Sequence, residues 1–226
     1  MALEFPSVQT LGTVWEWAKQ NLDTWFRTLG NLKNTVAERD LGSDQTLLFS
    51  VQFSLFCVFM SELMTIPIFV ISKSEKITFY MILSDIVEYY IFFIIMAMCQ
   101  KISSLIFFGH GTLRSSVIVT LFASAYLPLL HLSNYILLTD KTSVSEFYGD
   151  PSKWMINQPN RALAYWAFAI IALIFLLIRF IPATRFVHRV GWLRATLICI
   201  LTVVLSIQAY EFFMHPLDKL LLSPAL

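Results

Sequence analysis

The chain has 226 residues, of which 57% are hydrophobic and 14% are charged. A soluble domain usually carries about a quarter charged residues, so this composition excludes an ordinary soluble protein and favours a membrane protein. The formal net charge of +1 gives no basic signature of nucleic-acid binding.

Residues 1–45 form the predicted N-terminal segment, which begins without the basic start and apolar core of a cleavable signal peptide. Apolar residues then recur at helical spacing, which predicts an amphipathic helix that ends at Gly30. A tryptophan-rich helix of this kind is typical of one lying in the membrane interface, and docking on protein is the alternative. The apolar positions are Val8, Leu11, Val14, Trp15, Ala18, Leu22, Trp25, Phe26 and Leu29, with Glu16, Lys19, Asp23 and Arg27 on the other side.

Five apolar segments follow, each long enough to cross the ~30 Å hydrocarbon layer, which takes about 20 residues of helix. The predicted fold is therefore all-α, a polytopic transmembrane helical bundle over residues 46–214 with a short outer tail at 215–226. Only residues 73–76 separate the first two spans, so these helices are expected to be antiparallel neighbours. The predicted spans are residues 46–72, 77–108, 115–138, 162–183 and 193–214.

Lysine and arginine are distributed unequally between the two sides of this bundle. Ten of them fall on the side of the N-terminal segment and the turn at Gly109, and six on the other side. By the positive-inside rule, the N-terminus is predicted in the cytoplasm and the C-terminus outside. The inverted orientation stays open.

Ionisable residues inside the spans are few, and under this orientation they share the outer half of the layer. Each is costly there, by about 2.5–3.5 kcal/mol for Asp, Lys or Arg on insertion scales. Asp85 and Glu88, three residues apart, lie on one face of the second span. Glu62 lies on the helix that the short hairpin joins to it. The full set, called the acidic band below, is Glu62, Asp85, Glu88, His131 and Glu211.

The acidic band allows two interpretations. A polar cavity open to the outside would bind a cation such as Ca²⁺ or relay protons, because neither burial nor like charge favours ionising all the carboxylates. In the structural interpretation, the protonated acids and His131 hydrogen-bond between helices and stabilise the bundle.

On the predicted cytoplasmic side, a glycine turn and a group of cations converge. Gly109 and Gly111 allow a tight turn, and the helix N-terminus that follows offers amide donors to an anion. Anionic lipid headgroups are the simplest ligand for such a surface. The alternative is that these cations serve only as positive-inside anchors and bind no specific ligand. The residues predicted to meet a headgroup are His110, Arg114, Arg179, Arg185 and Arg189.

No sequence motif supports an enzyme, and no cofactor is predicted. The chain has no HExxH zinc motif, no Walker loop and no Gly-x-Ser-x-Gly in a span. Cys57, Cys99 and Cys199 fall in apolar runs without paired spacing, which favours neither disulfides nor a zinc site. The expected partners are the lipid bilayer and a protein partner or oligomer within the membrane, with no nucleic acid.

The run GHGTLRSSVIVTLFASAYLPLL, residues 109–130, resembles the centre of Yip1-domain membrane proteins, in which a glycine turn precedes a span with small residues and a proline. The resemblance implies a five-helix membrane domain with a cytoplasmic N-terminus. The chain lacks the Asp-Leu-Tyr-Gly-Pro motif of eukaryotic trafficking members, having only Tyr148-Gly149-Asp150-Pro151 on the predicted outer side, so Rab-GTPase binding does not carry over. Smaller prokaryotic members are more similar, which favours a bacterial inner membrane.

Three functions are compatible with the sequence. The leading prediction is a non-enzymatic scaffold or adaptor of Yip1-like type, acting through protein or lipid partners. The second is a small proton- or cation-coupled transporter or channel that uses the acidic band. The third is an accessory subunit of a larger membrane complex.

Overall fold

The computed structural model describes residues 8–72, 79–133 and 151–222, with side chains described for residues 12–64, 86–133, 152–210 and 212. These residues are almost entirely helical and contain no strand, which confirms the predicted all-α fold. The helices are α1 (Val8–Ala37), α2 (Asp44–Ser72), α3 (Phe79–Ile106), α4 (Leu113–Ala123), α5 (Leu127–His131), α6 (Pro151–Asn157), α7 (Pro159–His188) and α8 (Trp192–Leu222).

Five helical stretches among the described residues are long and apolar enough to cross a membrane, which confirms the predicted multi-pass bundle. The predicted starts of the spans lie within three residues of the observed helix starts. The fourth helix extends beyond its predicted span, because α7 continues to His188 and ends where Arg189 takes a left-handed conformation, with φ at 53°. The predicted end of the third span, at residue 138, lies outside the described residues.

The central helix of the bundle is α4, which packs against α1, α2, α3 and α7. Residues 115–126 are all buried except Val117, which is half-buried. The hairpin partners α2 and α3 do touch, since the Tyr90 hydroxyl lies 2.9 Å from Ser54 Oγ. However, α2 packs mainly on α4 and α5, and α3 mainly on α8 and α4. The expected neighbours are therefore in contact.

Two helical segments make up α1, and they join at Asn31, whose φ and ψ of −159° and 85° are not helical. Asn31 caps the second segment, because its Oδ1 accepts a hydrogen bond of 3.1 Å from the Asn34 amide. The helix end predicted at Gly30 therefore falls at this break, and the chain then returns to helix as far as Ala37.

The face of α1 that packs on the bundle combines apolar residues with small polar ones: Leu32 and Val36 are buried in the core, and Trp25 packs against it. Asn21, Thr24 and Thr28 are buried. The hydroxyls of Thr24 and Thr28 donate to carbonyls one turn earlier, at 2.9 and 2.7 Å, so they can be buried without partners on other helices. Trp15 and Phe26 lie on the exposed side, 68% and 61% accessible. That this side lies on the membrane surface stays a prediction.

Two reciprocal hydrogen bonds join α1 to the irregular turn between α4 and α5. The Trp25 indole donates to the Ala125 carbonyl at 2.8 Å, and the Tyr126 hydroxyl donates to the Thr28 carbonyl at 3.1 Å. Ala125 and Tyr126 belong to a 3-10 turn, Ser124–Tyr126, which precedes Pro128, a residue without an amide hydrogen to continue a regular helix. The break in α1 and the break in the third span are thus held against each other.

Candidate anion-binding site

The acidic band is only partly within the described side chains. Glu62 is buried in α2 and Glu88 is half-buried in α3, while His131 Nε2 lies 2.7 Å from the Tyr89 hydroxyl. The side chains of the other two members, at positions 85 and 211, lie outside the described set. Among the described residues, no three His, Cys, Asp or Glu are grouped so as to hold a metal ion. The cation or proton site stays a prediction.

The described arginines of the bundle concentrate where α3 and α7 end and where α2, α4 and α8 begin; we call this the basic end. Some of its arginines are already paired. Arg114 forms an ion pair of 2.6 Å with Asp44. Arg39 lies 4.0 Å from the centre of the Phe49 ring, and burial lowers the pKa of its guanidinium. Arg114 therefore already has an acidic partner, and Arg39 is half-buried.

The glycine turn between α3 and α4 is packed on the last residue of α7. The His110 amide donates to the His188 carbonyl at 2.9 Å, and Lys101 Nζ donates to the Gly111 carbonyl at 2.6 Å. His188 is fully buried, and its imidazole ring occupies the space that a Cβ at Gly111 would need. Glycine is therefore required here for a close approach between the turn and α7, which fixes the end of α7.

A pocket with a volume of about 610 Å³ opens between the break in α1 and the end of α7. The two helices supply different walls of it, one from each side of the gap. From α1 come Asn31, Lys33 and Asn34; from α7 and the residues after it come Ile178, Arg179, Pro182, Arg185, Phe186, Arg189, Val190 and Trp192.

The charge of this pocket is entirely positive. It is lined by Lys33, Arg179, Arg185 and Arg189 and by no carboxylate, and none of these four forms an ion pair with a described acid. The smaller cleft on the other side of the α1 break is different, because Arg27 and Glu38 both line it. The excess of cations is thus specific to the pocket against α7.

Aromatic rings, rather than carboxylates, lie beside two of the arginines. The Arg185 guanidinium lies 4.8 Å from the centre of the Trp192 ring, and the Arg179 guanidinium lies 5.4 Å from that of Phe175. Arg179 Nε is buried without a hydrogen-bond partner among the described residues. Stacking of this kind orients a guanidinium and leaves its N–H donors available, so the pocket is preorganised for an acceptor-rich ligand.

The pocket lies where the uncharged part of α7 ends. Residues 162–178 carry no charge and are bracketed by Arg161 and Arg179. A helix between these two arginines is about 27 Å long, close to the ~30 Å hydrocarbon thickness. The turns of α7 from Arg179 to His188 would therefore extend into the headgroup region.

Sequence reasoning found part of this site. It predicted Arg179, Arg185 and Arg189, which line the pocket together. The other two predicted headgroup ligands, His110 and Arg114, lie outside the pocket lining. It missed the α1 wall of Asn31, Lys33 and Asn34; the signal for that wall was the predicted helix end at Gly30, which places a break and its polar cap beside the membrane domain.

Comparison of the chain with protein-family models, curated proteins and solved structures gave no match. The Yip1-like relationship therefore stays a prediction that rests on residues 109–130. The chemistry of the pocket has to be interpreted from its own residues.

Proposed function

We propose that this five-span protein binds the headgroup of an anionic phospholipid in the pocket between α1 and α7, and acts as a non-enzymatic scaffold or adaptor through that lipid. The observation that carries the proposal is the pocket lined by four cations and no carboxylate. Guanidinium groups pair with phosphate through two parallel hydrogen bonds, and three of the four cations are arginines.

The position of the pocket supports a lipid ligand. Arg179 begins the turns of α7 that follow the uncharged stretch, the level at which phospholipid phosphates lie. In the predicted orientation, the basic end faces the cytoplasm of a bacterial inner membrane, and cytoplasmic leaflets that carry anionic lipids attract basic residues by about 1 kcal/mol each. The scaffold role, the Yip1-like kinship and a protein partner in the membrane belong to the same proposal.

The double substitution Arg185→Gln/Arg189→Gln is expected to weaken binding of phosphatidylglycerol roughly 100-fold, since two charge-assisted hydrogen bonds to the phosphate are lost at about 1.5 kcal/mol each. Binding is measured by titrating the purified protein in nanodiscs of neutral phosphatidylcholine that contain increasing fractions of phosphatidylglycerol. The matched control is Arg114→Gln/Arg194→Gln, which removes the same charge from the basic end outside the pocket.

The control should bind nearly as well as the unaltered protein. Arg114 pairs with the exposed Asp44, and the Arg194 guanidinium lies 6.0 Å from the centre of the Phe108 ring. Equal losses in the two double variants would mean that the whole basic end attracts lipid without a specific pocket, and would contradict the proposal.

A further inference from the structure

We infer that the pocket between α1 and α7 selects a phospholipid whose headgroup carries two or more negative charges, that is, a terminal phosphomonoester or several phosphates, over a phosphodiester lipid with one. This inference rests on the proposed function and names its ligand class.

The charge of the pocket exceeds what a phosphodiester can offset. Lys33, Arg179, Arg185 and Arg189 line one volume of about 610 Å³ without a carboxylate among the lining residues. A phosphodiester brings a single negative charge, which leaves most of the repulsion among these cations in place. A phosphomonoester brings a charge of about −1.5 to −2 at neutral pH and three strong acceptor oxygens. The larger negative charge of a phosphomonoester neutralises more of the positive charge of the four cations.

The hydrogen-bonding groups of the pocket are mostly donors. Lys33 and the three arginines can only donate. The Asn31 side chain uses its oxygen to accept from the Asn34 amide, so the group that this side chain still has to offer is its NH₂ donor. A terminal phosphate, with acceptors on all sides, matches such a lining. The ammonium of a choline or ethanolamine headgroup would instead be placed among four cations, and those headgroups are disfavoured.

The apolar wall identifies the phosphate as that of a lipid rather than a soluble ion. Ile178 and Phe186 line the same pocket and are 57% and 42% exposed. Ile178 belongs to the uncharged stretch that ends at Arg179. An acyl chain can therefore run along Ile178 into the hydrocarbon layer while the headgroup contacts the arginines. Covering this apolar surface with an acyl chain is favourable because it removes the surface from water.

The test compares phosphatidic acid with phosphatidylglycerol in phosphatidylcholine nanodiscs that are matched for total surface charge. We expect phosphatidic acid to bind roughly tenfold more tightly or better. The triple variant Lys33→Gln/Arg185→Gln/Arg189→Gln should lose this preference, and Arg114→Gln/Arg194→Gln should keep it. Soluble glycerol 3-phosphate, added as a competitor, should displace phosphatidic acid weakly because it lacks the acyl chains.

The outcomes show whether the selectivity alone fails or the proposed function fails with it. Equal binding of the two lipids, with both lost in the triple variant, would overturn the selectivity and leave the proposed function standing. Binding of neither lipid, or binding that the triple variant retains, would overturn both. Full displacement by glycerol 3-phosphate at concentrations comparable to the lipid would overturn the assignment to a lipid.

Discussion

Substitution of Gly111 by alanine is expected to lower the free energy of unfolding by about 3 kcal/mol or more, the upper range for overpacking a tightly packed site. The added methyl group would overlap the His188 ring. That ring is fully buried, and the His188 carbonyl accepts a hydrogen bond from the His110 amide. The His188 ring therefore cannot move away from the added methyl group without disrupting the glycine turn. Thermal unfolding of the purified protein in detergent measures the effect.

Gly191→Ala is the matched control for this substitution. Gly191 is the last residue of the connection from α7 to α8, and a Cβ there meets no atom within 4 Å. The control is expected to unfold at the temperature of the unaltered protein or slightly above it, since alanine restricts the unfolded chain more than glycine. If Gly111→Ala unfolded at the same temperature as Gly191→Ala, the close packing of the turn on His188 would be wrong.

Substitution of Trp25 by alanine is expected to abolish most of the binding of anionic lipid, although it changes no cation. Trp25 is half-buried against the main hydrophobic core and donates to the Ala125 carbonyl. Removal of a fully buried large aromatic costs about 3–5 kcal/mol, which is the upper limit here. Lost docking of the first segment would loosen the break at Asn31 and with it the positions of Lys33 and Asn34, which line the pocket. Lipid binding in nanodiscs and hydrogen exchange of residues 12–37 are measured on the same samples.

Trp15→Ala provides the comparison on the same helix. Trp15 is 68% exposed, so its loss should leave both the exchange of α1 and the affinity for lipid nearly unchanged. A Trp25→Ala protein with fast exchange in α1 but full lipid affinity would show that α7 forms the site alone. That result would contradict the two-walled pocket.

The membrane spans could be predicted because their cause is local. An uncharged run such as residues 162–178 can cross a bilayer only as a helix, since a helix satisfies its backbone groups internally. The shape of the third span was harder to predict, because its irregular turn at Ser124–Tyr126 depends on a proline and on a partner helix that is distant in sequence. Apolar length predicts that a span exists, but not how it bends.

The packing face of α1 could be read only in part from hydrophobic periodicity. That pattern includes Trp25, which packs on the core, but it also includes the exposed Trp15 and Phe26 and omits the buried Thr24 and Thr28. Threonine hydroxyls that donate to their own helix, as these do, remove the cost of burial. Small side chains then allow two helices to approach closely, which is common between membrane helices.

The candidate site was half predictable. A count of lysine and arginine along the chain identified Arg179, Arg185 and Arg189 as members of one cationic side. It gave no means of separating them from Arg114, because the pairing of Arg114 with Asp44 joins residues that are distant in sequence. The addition of Lys33 also depends on tertiary packing, since it requires α1 to dock beside α7.

The central claim is that an anionic phospholipid sits between the break in α1 and the end of α7. Its most direct test is photocrosslinking with phosphatidic acid that carries a diazirine near its phosphate, followed by peptide mapping of the adducts. Adducts are expected to concentrate on peptides that contain residues 31–34 and 178–192, and to be reduced in the Lys33→Gln/Arg185→Gln/Arg189→Gln variant. Adducts spread evenly over the basic end, or concentrated on Pro151–Asn157 at the other end of the bundle, would contradict it.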